Sequence, residues 1–97
     1  MVMEKHAPHC PLAKVKLLVE AGKVRTARAG AVALGFGYAD MLAVVLALRH
    51  SDFYKSMTTY ADHRIWQDVY RPRTKAGDVY LKLTVIDDVL IVSFKEL

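Results

Sequence analysis

The apolar positions change their period once along the chain, close to His50. Before it they recur every three or four residues. Leu12, Val15, Leu18 and Val19 form one stripe of a helix. Pro11 suits the first helical position, where its missing N–H is no loss. Lys14, Lys16 and Glu20 lie off the stripe, and Gly22 stands where a left-handed cap closes a helix. Residues 1–10 read as a loose arm ahead of this helix. Val24 to Thr26 reads as a short extended piece. Thr26 then caps a predicted second helix through Leu34, over Ala27, Ala29, Ala31 and Ala33, which Gly35-Phe36-Gly37 breaks. A third helix is predicted from about Ala39 to Arg49. Its Met41, Leu42, Val44, Val45, Leu46 and Leu48 cover most of its circumference, which predicts burial under a sheet.

Beyond His50-Ser51 the period falls to two. Phe53 to Thr59 and Ile65 to Tyr70 read as strands, the second ended by Arg71-Pro72-Arg73, because proline donates nothing to a ladder. Lys75-Ala76-Gly77-Asp78 reads as a turn. Val79 to Ile86 and Val89 to Lys95 are the clearest strands, joined at Asp87-Asp88. Helices first and strands afterwards predict an α+β fold, an antiparallel sheet with the amino-terminal helices packed on one face.

If Asp87-Asp88 is a two-residue hairpin loop, the pairing follows. Ile86 faces Val89, Thr84 faces Ile91, Lys82 faces Ser93 and Tyr80 faces Lys95. Alternation then puts Val79, Leu81, Leu83, Val85, Leu90, Val92 and Phe94 on a core face. Tyr80, Lys82, Thr84, Ser93 and Lys95 fall on the opposite face. Directly opposed residues have Cβ atoms ~4.5–5.5 Å apart. A lysine held beside a tyrosine hydroxyl favours the phenolate, one way to fit a tyrosine for proton transfer. From periodicity alone, the same face reads first as a solvated outer surface with an incidental Tyr–Lys pair.

Charge sharpens the choice. The 97 residues suit one domain, spanning 1–97, and carry 14 Lys plus Arg against 10 Asp plus Glu, a net charge of +4. Seven of the nine aromatics fall between Arg49 and Leu97: Phe53, Tyr54, Tyr60, Trp66, Tyr70, Tyr80 and Phe94. Arg49, Lys55, Arg64, Arg71, Arg73, Lys75, Lys82 and Lys95 are interleaved with them. Cations neutralise phosphates and rings stack on bases, as a single-stranded nucleic acid requires. Strands of a small domain also use aromatics for packing. Gln67 shares a strand face with apolar Ile65 and Val69, which marks an edge or a site residue. Arg71 and Arg73 flank Pro72 and offer two guanidinium forks to phosphate oxygens.

Other chemistry is poorly supported. His6, His9 and Cys10 lie close together but match no paired zinc spacing, so no metal or other cofactor is expected. One cysteine makes no intrachain disulfide framework. The longest apolar run, Met41 to Leu48, has eight residues, against ~20 for a membrane span. With no apolar signal core behind Met1, a soluble, cytoplasmic protein is expected.

The runs SDFYKSMTTYADHRIWQDVYRPR (Ser51 to Arg73) and VYLKLTVIDDVLIVSFKEL (Val79 to Leu97) closely resemble the MqsR family, the motility quorum-sensing regulator toxins. PHCPLAKVKLLVEAGKVRT (Pro8 to Thr26) resembles it too, and the likeness is looser between Ala27 and Asp40. The resemblance implies a RelE-like fold and an mRNA interferase, an endoribonuclease that cuts single-stranded mRNA at GCU-type sites without the ribosome. It implies the toxin of a type II toxin–antitoxin pair, held inactive by a cognate zinc-containing, MqsA-like antitoxin through which any DNA contact is made. It also implies that Lys55, Gln67, Tyr80 and Lys95 are the catalytic positions. Arg71, Arg73 and Lys82 are the accompanying RNA-binding candidates. A non-catalytic RNA- or DNA-binding module and a pure interaction protein are the competing readings.

Overall fold

The computed structural model describes residues 2–27 and 35–96. In chain order its elements are β1 (Glu4–Lys5), α1 (Leu12–Glu20), β2 (Val24–Ala27), α2 (Tyr38–Leu46), a 3-10 turn (His50–Asp52), β3 (Phe53–Thr58), β4 (Trp66–Tyr70), β5 (Arg73–Thr74), β6 (Gly77–Ile86) and β7 (Val89–Glu96). The strands form one sheet in the order β1-β3-β4-β6-β7-β2, with β5 paired to β6 off this path. Every pairing is antiparallel except β2 with β7, which is parallel. The fold is α+β, as the order of periods predicts.

Helix α1 buries Leu12, Val15, Leu18 and Val19, the stripe read from its spacing. It ends in a Schellman motif. Gly22 has φ of +73°, its N–H donates to the Val19 carbonyl, and the Lys23 N–H donates to the Leu18 carbonyl. The β6–β7 hairpin supplies the floor of the core through buried Val79, Leu81, Leu83, Leu90, Val92 and Phe94. A fully buried Val or Leu contributes ~1.5–3 kcal/mol. This face is therefore committed to packing, and the opposite face is left for chemistry. Met41, Val45 and Leu48 close the core from the α2 side.

Three expectations need correction. Thr26 and Ala27 belong to β2, so no helix starts at Thr26; the rest of the predicted second helix lies outside the described residues. Helix α2 spans Tyr38–Leu46 and buries only Met41 and Val45, leaving Leu46 exposed. Met41 and Val45 join the core, and Leu42 and Val44 pack at its margin, so it is a covering helix and not a buried one.

The third correction concerns the arm. Residues 2–10, the described part of this arm, are not loose. Glu4 and Lys5 pair with Met57 and Ser56 of β3. The Met3 N–H donates to Thr58 Oγ1 (2.8 Å), and the Thr58 N–H donates to the Met3 carbonyl (2.9 Å). Buried Asp68 accepts the N–H groups of His9 (2.9 Å) and Cys10 (3.0 Å). The His9 ring stacks on Trp66 at 5.4 Å, and Lys5 Nζ lies 4.3 Å from the centre of the Trp66 ring.

Candidate active site

The open face of the sheet is ordered by its ladders. Tyr80 pairs with Lys95 and Lys82 with Ser93 across β6 and β7, in the register read from the two-residue turn. The turn residues Asp87 and Asp88 both have positive φ, +51° and +59°. That is the geometry of a type I′ turn, whose twist matches paired strands. Across β4, Val69 pairs with Lys82 on one side and Lys55 on the other. One row therefore runs Lys55, Val69, Lys82, Ser93, and the next same-face row contains Tyr80 and Lys95.

Lys55, Tyr80, Lys82 and Lys95 line one shallow depression of about 350 Å³, together with Tyr54, Met57 and Val69. Alternation alone would send Tyr54 to the core face. A bulge between Phe53 and Lys55 prevents it: Phe53 pairs with Tyr70 and Lys55 with Val69, so Tyr54 is the extra residue. A bulge re-aims a side chain in this way. Phe53 packs edge-on against Tyr70 toward the core, while the Tyr54 ring stacks with Tyr80, with centroids 6.2 Å apart and 26° between planes. The Arg71 guanidinium lies 4.9 Å from the Tyr54 centroid and 5.6 Å from that of Tyr80.

Tyr54 is the residue that sequence reasoning missed as part of the site. Nothing in Phe53-Tyr54-Lys55 signals it, because the bulge appears only in the pairing with β4.

Lys55 makes a hydrogen-bonded ion pair with Glu4 of the arm. The Glu4 hydrogen bond raises the lysine above its ordinary pKa, so its ammonium persists to higher pH. Its Nζ also lies 5.3 Å from the Tyr54 ring centre.

Two of the sequence candidates stand apart. Gln67 pairs with Met57, on the same open face. It is one same-face step from the Lys55 row, ~7 Å along the strand, on the side away from Tyr80. Arg73 leaves Arg71 altogether. It lines a separate groove with Phe36, Asp40, Arg49, Pro72 and Lys75, beside α2. Among the described residues no group of three or more His, Cys, Asp or Glu side chains is placed to hold a metal ion, and no helix is long and apolar enough to cross a membrane.

The profile of the family described as "Motility quorum-sensing regulator, toxin of MqsA" matches residues 7–96. The "mRNA interferase toxin MqsR" of Escherichia coli (strain K12) is 62% identical over 97 residues, covering 97% of this chain and 99% of that protein. The chain belongs to the motility quorum-sensing regulator toxin family.

Proposed function

We propose that this chain is the toxin of a toxin–antitoxin pair and acts as an mRNA interferase, an endoribonuclease that cuts single-stranded RNA in the cytoplasm. The likeness to the Escherichia coli toxin supports the activity. The observation that carries the site is the convergence of Lys55, Tyr80, Lys82 and Lys95 on one depression, walled by the Tyr54 ring. Rings and ammonium groups set at this spacing suit a base stacked beside its own phosphate.

Cleavage proceeds by attack of the RNA 2′-OH on the adjacent phosphorus. The new O–P bond closes a 2′,3′-cyclic phosphate, the P–O5′ bond breaks, and a 5′-OH leaves. The step needs a proton acceptor at the 2′-OH, positive charge at the phosphorane and a proton donor at the 5′-oxygen. Lys55 and Lys95 flank the phosphate and stabilise its developing charge. Tyr80 moves a proton, and it shares the depression with Lys95, its partner across the β6–β7 ladder. Lys82 and Arg71 hold neighbouring phosphates. The four cations supply the electrostatic stabilisation without a call on metal. Gln67, one row away, contacts the nucleotide next to the cut and contributes to choice of a GCU-type site. Arg73, in its separate groove, meets RNA further along the strand.

Neutralisation is assigned to a cognate zinc-containing, MqsA-like antitoxin, in keeping with the family's description as toxin of MqsA. Either strand addition at a free sheet edge or cover over the open face would inhibit. DNA contact belongs to that partner.

The test is incubation of the purified chain with a defined RNA in chelator, without ribosomes, followed by mapping of the ends. Discrete cuts with cyclic-phosphate ends are expected. Salt-dependent binding without cuts would make the chain a non-catalytic RNA-binding module instead.

A further inference from the structure

The depression concentrates like charge. From β3 it receives Lys55, from β6 Lys82, from β7 Lys95, and Arg71 lies over its two rings. Like charges at short range disfavour one another's protonated forms. Among the described residues, the only carboxylate ion-paired with any of them is Glu4, whose side chain is about half exposed.

Glu4 reaches Lys55 by register. It pairs with Met57, so it shares the open face and is diagonal to Lys55, two residues earlier on β3. Diagonal neighbours are ~7–8 Å apart, within reach of two long side chains. The backbone around Glu4 is fixed on both sides. Met3 exchanges hydrogen bonds with Thr58, and His9 and Cys10 are held by Asp68. Lys5 and His9 are held against Trp66. The strand is only two residues long, yet its carboxylate is delivered to one atom of the site.

We propose that Glu4 is a positioning residue of the cleavage site: the amino-terminal strand carries it in to hold the Lys55 ammonium beside Tyr54 and Tyr80, where it meets the scissile phosphate. This inference rests on the ribonuclease reading of the depression. An ammonium has three donors, so one spent on Glu4 leaves two for phosphate oxygens. Ordering the lysine in advance removes an entropic loss from the reaction step. The hydrogen bond from Lys55 to Glu4 also keeps the lysine protonated to higher pH, against the opposing effect of its partial desolvation. The groups facing Lys55 are Glu4 from β1, Tyr54 from β3, Tyr80 and Lys82 from β6 and Lys95 from β7, while β4 presents the uncharged Val69.

The test compares wild type, Glu4→Gln, Lys55→Ala and the double variant on a defined RNA oligonucleotide. Glu4→Gln is expected to lower the single-turnover rate about tenfold, less than the roughly hundredfold that a 1 Å misplacement can bring. Its alkaline limb is expected at lower pH than in wild type. A carbon NMR titration at Lys55 Cε is expected to show the lysine losing its proton at lower pH in Glu4→Gln. In the Lys55→Ala background the Glu4 change should add less than about twofold, because the two act as one unit. Equal losses in both backgrounds would overturn the proposal, as would an unchanged rate and titration. A faster Glu4→Gln protein would make Glu4 a competitor of the phosphate and overturn it too. Fluorescence of Trp66, the single tryptophan, reports docking of the arm. A changed emission with a parallel loss of rate would assign the loss to the arm and not to Lys55. If wild type itself fails to cut, the ribonuclease reading falls, while the NMR titration still decides whether Glu4 controls Lys55.

Discussion

Tyr80 lies directly across the β6–β7 ladder from Lys95. On the proposed mechanism, one backbone register thus sets both the side chain for proton movement and a side chain for charge stabilisation. Tyr80→Phe keeps the ring that stacks with Tyr54 and Arg71 and removes only the hydroxyl. We expect its single-turnover cleavage to fall ~10²-fold or more, the usual scale for a lost proton-transfer group. RNA affinity should change by less than threefold, measured by fluorescence anisotropy. Lys95→Ala should lose rate on a similar scale and also weaken the salt dependence of binding. A Lys95→Ala protein that cuts as fast as wild type would remove that residue from the mechanism.

The register depends on a turn that is chemically second best. Asp87 and Asp88 both occupy the left-handed region, which Asp enters more readily than most residues but at a higher cost than Gly. Asn-Gly is the favoured pair for such a turn. Replacing Asp87-Asp88 by Asn-Gly should raise stability by ~0.5–1 kcal/mol. The change also removes the Lys14–Asp88 ion pair, whose partners are both largely solvated, so that loss should be small. A higher urea midpoint with an unchanged cleavage rate is expected, because the new turn keeps Tyr80 opposite Lys95.

These two residues also mark how far the chain could be read in advance. The hairpin was legible because alternation and a two-residue loop leave one pairing, and Lys82, Tyr80 and Lys95 followed from it. The α1 stripe and its Gly22 cap were legible for the same reason: both are local. Tyr54 was not, because the Phe53–Lys55 bulge is set by the partner strand β4 and not by a glycine in β3. The arm was not, because a two-residue strand has no period and its anchor, Asp68, is 58 residues from Cys10. Helix α2 was over-buried in expectation, since an apolar circumference does not reveal how many elements surround it. Thr26 read as a cap, but β7 recruits it into a parallel pair with Val92.

Asp68 therefore has a second consequence. Its carboxylate is buried and accepts the backbone N–H groups of His9 and Cys10. Asp68→Ala should destabilise the fold by ~1–3 kcal/mol, the scale of leaving buried donors unpaired. It should also release the arm. Burial, then the negative charge of Asp68, pushes the Cys10 thiol above its ordinary pKa. Loss of both effects lowers it, so Cys10 should react faster with a disulfide reagent at neutral pH. A Trp66 emission shift should accompany the change, because His9 leaves its stacked position. Slow Cys10 reaction in Asp68→Ala would mean that the arm stays docked without its clamp.

Tyr70 makes the fold's stability sensitive to alkaline pH. Its side chain is fully buried, and among the described residues its hydroxyl has no hydrogen-bond partner. Burial, with smaller contributions from Asp68, Cys10 and Asp52, pushes its pKa up to about 12. In the unfolded chain a tyrosine ionises near ~10. Above that pH the unfolded state gives up a proton that the folded state keeps, so stability falls as pH rises, by ~1.4 kcal/mol per unit until the folded value is reached. Tyr70→Phe removes both the unpaired hydroxyl and the titration. It should be at least as stable as wild type at pH 7, by up to ~1 kcal/mol. Between pH 10 and pH 12 its advantage should widen, read as diverging urea midpoints. Parallel midpoints across that range would show that Tyr70 ionises within the fold as readily as outside it.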